Sequence, residues 1–548
     1  MKKYLRKISA ILMAAIMVLS MCVPAFAEAG VKPKEGDKAT ATVLNVEDNA
    51  TVTAYKIVNP VYNTNGFIGY TAADGVTIAD VTNPTPAEIT AIAKSIDATL
   101  ADGKKVTLTQ QVLDKTGTAN ENGLYSYSKE LTVGTWLVLV TGNVKEVYNP
   151  MIVSVYYSVG GNNNEMAAGR VDANSDWEVN GETVYAKSTK PFITKTIVNS
   201  GSNNQKGDDK AVGDTVQYKI ETKVPSYSEE YSTVTLKIND VLSDGLTLKQ
   251  GEGEITVTGV PSDKYELTGV SDRGFTVTVD SAWALANQGA DITVTYSATI
   301  NENAKYNFNP NTNTATLEYT NKQGVQSVAD KTYHYTFGID AELTGQESTE
   351  WTDITKEITK TGEERIIKDE QGNEIGRTRN LPGATFKMTR LDNAVHNEDG
   401  TWTVTPYSGS RTTEWTATSG EDGHLKFTGL DAGWYELEET QAPSGYTLEG
   451  KKHYVHITAT YLPDGRLESY SVVIDGAATS TYTAQYTGTT TTVSKVTIVE
   501  QPTTIPNTKI SNLPSTGGTG TYFFTIVGVM VMAGVAGMFL ISRRKENE

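Results

Sequence analysis

The chain has 548 residues, with 65 acidic against 47 basic side chains, a net charge of −18 and a single cysteine. So acidic a composition argues against nucleic acid or anionic lipid as a partner, and one thiol rules out an internal disulfide framework. The length suggests roughly three domains of about 150 residues once the ends are set aside.

The N-terminal end reads as an export signal. Lys2, Lys3, Arg6 and Lys7 precede an apolar stretch from Ile8 to Val23, and Ala25-Phe26-Ala27 supplies small residues for cleavage before Glu28. Residues 1–27 are therefore a secretory signal peptide. Cys22 lies inside it, and Met21 stands where a lipoprotein signal needs a small residue. The exported chain thus has no cysteine, in a compartment where disulfides are the usual reinforcement.

Strand-like runs punctuated by Gly, Asn and Asp dominate the exported chain, so an all-β chain of consecutive sandwiches is expected. In the first region, residues 28–187, Thr51–Val58, Tyr125–Leu131, Thr135–Thr141 and Met151–Ser158 read as strands. One short helix is expected. Thr85 can cap it, Pro86 takes the first helical position, Glu88 completes a capping box, and Ile89, Ile92, Ile96 and Leu100 recur on one face. This region ends in Trp177-Glu178-Val179-Asn180-Gly181-Glu182-Thr183-Val184-Tyr185-Ala186-Lys187. That run resembles the pilin motif, whose lysine a pilin sortase uses to join subunits. The usual ending is Tyr-Pro-Lys and here it is Tyr-Ala-Lys. The resemblance points to Lys187 as the intermolecular lysine, with Lys190 as the alternative; parity sets Lys187 opposite Val184 and Ala186, which favours an exposed amine.

The middle region, residues 188–335, shows the clearest alternation. Val216, Tyr218, Ile220 and Val224 form one set, and Ile292, Val294, Tyr296, Ala298 and Ile300 another, as in an antiparallel sheet with one buried face. Three polar residues share such faces: Lys195 between Ile193 and Ile197, Asp240 after Leu236 and Ile238, and Asn313 before Ala315, Leu317 and Tyr319 in the expected last strand.

The third region, residues 336–512, is again strands and turns, including Glu421-Asp422-Gly423 before a strand from His424 to Leu430. Thr479–Thr492 reads as an exposed strand or a stalk, and Thr508–Asn512 as a short linker. The run Gly433-Trp434-Tyr435-Glu436-Leu437-Glu438-Glu439-Thr440-Gln441-Ala442-Pro443-Ser444-Gly445-Tyr446 meets every defined position of the E box, Y-x-L-x-E-T-x-A-P-x-G-Y, and so resembles pilins and collagen-adhesin B-type domains. Period two places Tyr435, Leu437 and Glu439 on one strand face. If that face is the core, Glu439 is a buried carboxylate, costly unless neutral or paired.

In the resembling domains this Glu promotes a spontaneous Lys–Asn isopeptide bond. Burial lowers a lysine pKa and raises that of an acid, so a neutral amine can attack the carboxamide while the acid polarises its oxygen and shuttles protons. The resemblance implies Glu439 as the acid and Asn507 as the last-strand partner. Lys360 is the favoured first-strand lysine, with Lys356 on the same expected face. In the middle region it implies Asp240 as the acid for Lys195 and Asn313.

At the C-terminal end, residues 513–548, Leu513-Pro514-Ser515-Thr516-Gly517 stands ahead of an uncharged run from Tyr522 to Ile541 and then Arg543, Arg544 and Lys545. Twenty apolar residues suffice to cross a bilayer as a helix, and the basic cluster keeps the tail cytoplasmic. The three-part order resembles the cell-wall sorting signal of Gram-positive surface proteins, in which a sortase cuts between the Thr and the Gly, here Thr516 and Gly517.

Together these resemblances identify a secreted backbone pilin of a Gram-positive bacterium, anchored to the cell wall. They imply three tandem immunoglobulin-like β-sandwich domains with a short helix in the first. The implied partners are a pilin-specific sortase, a housekeeping sortase, further copies of the chain joined head to tail, accessory tip and base pilins, peptidoglycan, and a host or microbial surface ligand. The rival readings are a singly wall-anchored adhesin or accessory pilin, and an exported enzyme on the same anchor. For the last, the sequence offers little. His453 and His456 are three apart on an expected strand and face opposite sides, a poor metal pair. No phosphate-binding loop, dinucleotide fingerprint or calcium loop is present, so neither metal nor cofactor is expected.

Overall fold

The computed structural model describes residues 25–26, 30–96, 106–160, 166–202, 204–343, 354–409, 414–488, 493–510, 529–533 and 535–536. It divides into two compact units. One holds residues 1–305, 310–335 and 461–466; the other holds 306–309, 336–460 and 467–548. Strands dominate the regular structure of the described residues, with short helices at Pro86–Ser95 and Ser281–Ala286, a 3-10 turn at Ser262–Lys264 and helical residues at 529–533 and 535–536.

The first unit contains two sandwiches in succession. In the first, a sheet runs in the order Ala25–Phe26, Trp177–Gly181, Met151–Val159, Gly134–Gly142, Ala50–Asn63, Gly66–Ala72 and Val171–Asp172. It faces a sheet of Thr183–Tyr185, Lys38–Val46, Tyr125–Thr132 and Asp114–Thr116. Val43, Val52, Phe67, Trp136, Val138, Val153 and Tyr157 fill the space between them. Each such side chain contributes roughly 1.5–3 kcal/mol by leaving water. The outer face of the large sheet is covered by the helix, whose Ile89, Ile92 and Ala93 meet Ile57, Val58 and Leu137. The expected capping box is formed. Thr85 Oγ1 accepts from the Glu88 N–H at 3.3 Å, and Glu88 Oε2 accepts from the Thr85 N–H at 2.8 Å. Ile96 caps the C-terminus, and Leu100, expected on the same face, lies outside the described residues.

The second sandwich pairs a sheet of Ile193–Ile197, Thr215–Lys223, Asp291–Ile300 and Leu246–Leu248 with one ordered Gly207–Asp209, Gly324–Tyr335, Asn311–Asn321, Leu236–Leu242, Gly274–Val279 and Tyr265–Ser271. The alternation read from the sequence is carried through. Every second residue of Asn311–Asn321 is buried, and Val216, Tyr218 and Ile220 oppose Ala298, Tyr296 and Val294 across the first sheet. Asn313 does not sit in the last strand, however. Gly324–Tyr335 follows it as a hairpin partner, with Asn313 opposite Thr332. The returning strand has weak alternation at its start, which hides it in the sequence. The two sandwiches are joined by hydrogen bonds from Tyr319 Oη to Lys145 O at 2.7 Å and from Asn321 Nδ2 to Val144 O at 2.8 Å.

The second unit is built on a long sheet ordered Trp402–Pro406, Thr385–His396, Gly433–Gln441, Lys452–Tyr461, Leu467–Ile474, Ala477–Tyr486 and Val493–Glu500. A three-stranded sheet of Glu374–Asn380, Ile358–Lys368 and Thr503–Pro506 accompanies it, and the last two strands run parallel with Lys360 opposite Ile505. The threonine-rich segment is no stalk over its described part, residues 479–488, and residues 489–492 lie outside the described residues. Ala477–Tyr486 is a paired strand whose Tyr482 is fully buried. Nor is Thr508–Ile510 a free linker, because the Thr447 N–H donates to Thr508 O at 2.8 Å and the Ile510 N–H to Gly445 O at 2.9 Å.

Replacing Thr85 by Ala should destabilise the helix by about 1 kcal/mol through loss of the cap. Faster hydrogen exchange at the Glu88 amide, with the strands of Met151–Val159 unchanged, would report it.

Candidate functional site

Two buried polar clusters stand out, one in each unit. In the second sandwich, Lys195 enters the core from Ile193–Ile197 in one sheet, while Asp240 and Asn313 enter from neighbouring strands of the other. All three are at most 1 % exposed. The Lys195 backbone is pinned from outside: its N–H donates to Asp330 Oδ2 at 2.7 Å, and its carbonyl accepts from Lys206 Nζ at 2.7 Å. Lys195 Nζ lies 2.5 Å from Asp240 Oδ2 and is also hydrogen-bonded to the Tyr296 hydroxyl. Asn313 Nδ2 donates to that same hydroxyl at 3.0 Å. The Lys195 amine sits 4.8 Å from the ring centres of both Tyr218 and Tyr296, which stack on each other.

Burial pulls the Lys195 amine down and pushes the Asp240 carboxyl up, each opposed by the attraction of the other. Both shifts favour a neutral amine beside a protonated acid. His334, fully buried, has its pKa lowered to about 3 by burial and by the nearby Lys195, and its Nε2 lies 2.8 Å from the Tyr218 hydroxyl. A neutral imidazole adds no competing cation.

In the second unit, Tyr435, Leu437 and Glu439 do share the inward face of Gly433–Gln441. Glu439 Oε1 accepts from Asn507 Nδ2 at 2.8 Å, and Glu439 Oε2 accepts from the Glu449 N–H at 2.7 Å. Lys360 Nζ is hydrogen-bonded to Asn507 Oδ1 and lies 3.5 Å from Glu439 Oε1 and 5.3 Å from the centre of the Phe386 ring. Lys360 is completely buried, Glu439 and Asn507 nearly so. Burial lowers the Lys360 pKa against the pull of Glu439 and Glu449.

The structure separates the two candidate lysines that parity leaves together. Thr355, Glu357, Ile358 and Lys360 are buried while Lys356 is half-exposed, because the alternation changes phase between Glu357 and Ile358. Ahead of that point the segment is anchored by backbone bonds from Glu357 and Ile358 to Asp340. The Lys360 backbone is in turn clamped by the turn at Gly423. Its N–H donates to Gly423 O at 2.8 Å, and a Cβ on Gly423, at φ +80°, would stand 2.7 Å from the Lys360 carbonyl oxygen.

Lys187 lies elsewhere, on the surface of the first unit. It follows the strand Thr183–Tyr185 with its side chain exposed, as is that of Lys190. The flanking backbone is held. The Asn149 N–H donates to Lys187 O at 2.8 Å, and Ser188 and Thr189 pair with Tyr148 and Val147. The preceding motif is tied down residue by residue. Trp177 Nε1 donates to Val31 O at 3.0 Å, and Glu182 Oε2 accepts from the Ser154 N–H at 2.7 Å. A Cβ on Gly181 would meet Thr40 O at 2.1 Å, so only glycine fits there.

Residues 513–517 lie outside the described residues. Within the expected membrane run, residues 529–533 and 535–536 are helical, and no helix among the described residues is long and apolar enough to cross a membrane. No metal-binding cluster of His, Cys, Asp or Glu occurs among the described residues. Sequence reasoning missed Tyr296 and Tyr218 as members of the Lys195 cluster, and Glu449 beside Glu439. Alternation alone makes both tyrosines core, and a hydroxyl on an inward face, which needs a partner when buried, was the available signal.

Four family profiles match consecutive stretches of the chain. They are the T6 antigen Ig-like domain over residues 36–188, the Gram-positive pilin backbone subunit 2 Cna-B-like domain over 212–323, a prealbumin-like fold domain over 368–464 and the LPXTG cell wall anchor motif over 505–548. The trypsin-resistant surface T6 protein of Streptococcus pyogenes serotype M6 is 26 % identical, over 93 % of this chain and 95 % of that one. The T6 backbone pilin of serotype M6 S. pyogenes, itself a modular three-domain structure, superposes with a TM-score of 0.53 at 20 % identity, covering 88 % of this chain and all of that one. The full-length major pilin SpaD of Corynebacterium diphtheriae aligns over 89 % of this chain and all of its own, at 17 % identity and a TM-score of 0.43. Along its length the chain is similar to the backbone pilins of Gram-positive bacteria, and its LPXTG cell wall anchor motif marks it as secreted and held at the cell wall.

Proposed function

We propose that this pilin is the shaft subunit of a covalent fibre, cross-linked at two levels. The carrying observation is the pair of buried clusters, each gathering a lysine amine, a carboxyl group and an asparagine carboxamide into one hydrogen-bonded group. Within the subunit, Lys195 Nζ attacks Asn313 Cγ and Lys360 Nζ attacks Asn507 Cγ. In each case the new amide N–C bond replaces the Cγ–Nδ2 bond, and the carboxamide nitrogen leaves as ammonia. Asp240 and Glu439 carry protons from the attacking nitrogen to the departing one. In the middle domain the Tyr296 hydroxyl touches both reactants and holds them together.

Each link would close a loop of more than 100 residues, which on the chain-entropy account of cross-links stabilises by about 5 kcal/mol. A chain whose exported part has no cysteine gains from them what disulfides supply elsewhere. The presence of three sets of sheets supports a division into three domains at residues 28–187, 188–335 and 336–512.

Between subunits, a sortase cleaves the Thr516–Gly517 amide, holds the Thr516 acyl group on its own cysteine, and passes it to Lys187 Nζ of the next copy. The acceptor amine is exposed while its backbone is fixed, which suits delivery by an enzyme. Head-to-tail joining of this kind does not close, so it extends as a filament. At the base, the same Thr516 acyl group is passed to peptidoglycan by the housekeeping sortase.

Two measurements test these assignments. The intact mass of residues 28–516 should fall short of the sequence mass by two ammonia masses, with Lys195–Asn313 and Lys360–Asn507 linked peptides after digestion. Asp240→Ala and Glu439→Ala should each restore one ammonia mass and lower the melting temperature of the affected domain. A full deficit in either variant would remove that acid from the scheme. In cells, Lys187→Arg should collapse the high-molecular-mass ladder to a single wall-linked band. A ladder that persists, and is lost instead with Lys190→Arg, would move the acceptor to Lys190.

A further inference from the structure

The Lys360 cluster contains a second carboxylate, outside the strand Gly433–Gln441. Glu449 lies between that strand and Lys452–Tyr461. Its N–H holds Glu439 Oε2, and its own Oε2 stands 4.0 Å from Lys360 Nζ. On the opposite side the same oxygen faces His453 Nε2 at 3.5 Å. Both atoms are buried, and neither has a hydrogen-bond partner among the described residues. His453 itself is only 4 % exposed. Its Nδ1 lies 2.8 Å from Asp475 Oδ2, and that carboxylate also pairs with exposed Lys451 at 3.0 Å and accepts from the Tyr454 N–H at 3.0 Å. Burial would lower the His453 imidazole, but the Asp475 and Glu449 carboxylates outweigh it and hold it above its usual value. The groups Lys360, Glu449, His453, Asp475 and Lys451 therefore form a row from a fully buried amine to solvent.

Amide formation at Lys360 needs such a row. A lysine ammonium must shed one proton before it can attack and a second as the amide forms, whereas the leaving nitrogen takes up only one. Glu439 already accepts from the Asn507 nitrogen, so it is placed to serve the leaving group. The geometry points to Glu449 as the base that takes the first proton from Lys360, with His453, oriented by Asp475, as the positioning residue that passes it to solvent. This inference rests on the reading of Lys360 and Asn507 as cross-linking partners. The proton balance closes: one proton leaves by Glu449 and His453, and one moves from Nζ through Glu439 to Nδ2. The Nζ–Cγ bond forms, the Cγ–Nδ2 bond breaks and ammonia departs.

The experiment tracks intact mass and the linked peptides of the full chain at intervals after a short pulse of synthesis, between pH 5 and 9. The Lys195–Asn313 link serves as an internal clock. Glu449→Gln should fold and form the Lys360–Asn507 link at least about tenfold more slowly, with the defect shrinking as pH rises and the amine loses its proton unaided. Glu449→Asp should recover much of the rate. His453→Gln should slow the same link and move its pH profile upward, without touching the internal clock. Wild-type rates in both Glu449→Gln and His453→Gln would overturn the proposal. So would a defect equally deep at every pH, which marks a packing role. If Glu449→Gln does not fold, the pH profile of His453→Gln decides alone. Absence of the Lys360–Asn507 peptide from the wild type would instead remove the reading of the site itself, and this division of labour with it.

Discussion

The structure turns on keeping a lysine amine out of water. An ammonium ion buried without full compensation costs several kcal/mol, yet Lys195 and Lys360 have no exposed surface at all. Each is tolerated because its sandwich brings an acid, an amide and an aromatic face to the same point. Doing so fixes the register of several strands at once, since a slip of one residue would turn every inward group outward. The polar clusters therefore specify the two cores as much as the aliphatic side chains around them do. They also bear on protonation, because burial disfavours the ammonium form of each lysine against the pull of its acid.

The two units meet that demand with different topologies. In the middle sandwich the lysine comes from one sheet and its partners from the other, so contact spans the core, and two stacked tyrosines fill the gap. In the second unit Lys360 and Asn507 lie on adjacent parallel segments at one edge of the domain, and the acid reaches them from the neighbouring sheet. The first places its acid beside the amine, the second beside the carboxamide. That difference tracks the identity of the acid, the shorter Asp in one and the longer Glu in the other.

Much of this was legible in the sequence because a strand's period of two is unforgiving. Tyr435, Leu437 and Glu439, or Ile193, Lys195 and Ile197, can be assigned to a face without coordinates. The helix announces itself through Thr85, Pro86 and Glu88. Legibility fails where the period breaks. Lys356 and Lys360 look equivalent until the phase change at Glu357 and Ile358, which Asp340 imposes from a distant part of the chain. The strand Gly324–Tyr335 begins with exposed residues and gives too little contrast to be seen as the final strand. Glu449 meets Lys360 and His453 meets Asp475 from segments far apart in the chain, and no local pattern marks such meetings. Tyr296 reads as hydrophobic bulk when its hydroxyl is the informative atom.

The parallel pairing of Ile358–Lys368 with Thr503–Pro506 has a mechanical meaning. Tension along the chain enters this domain ahead of Ile358 and leaves it beyond Asn507. It therefore pulls the two neighbouring strands in opposite directions along their length, loading their hydrogen bonds together in shear instead of peeling them one by one. With Lys360 bonded to Asn507, the load would bypass the intervening residues 361–506 entirely. The loops and hairpins of that body would then be free to differ in sequence from one pilin to another, because the strength of the fibre would not run through them.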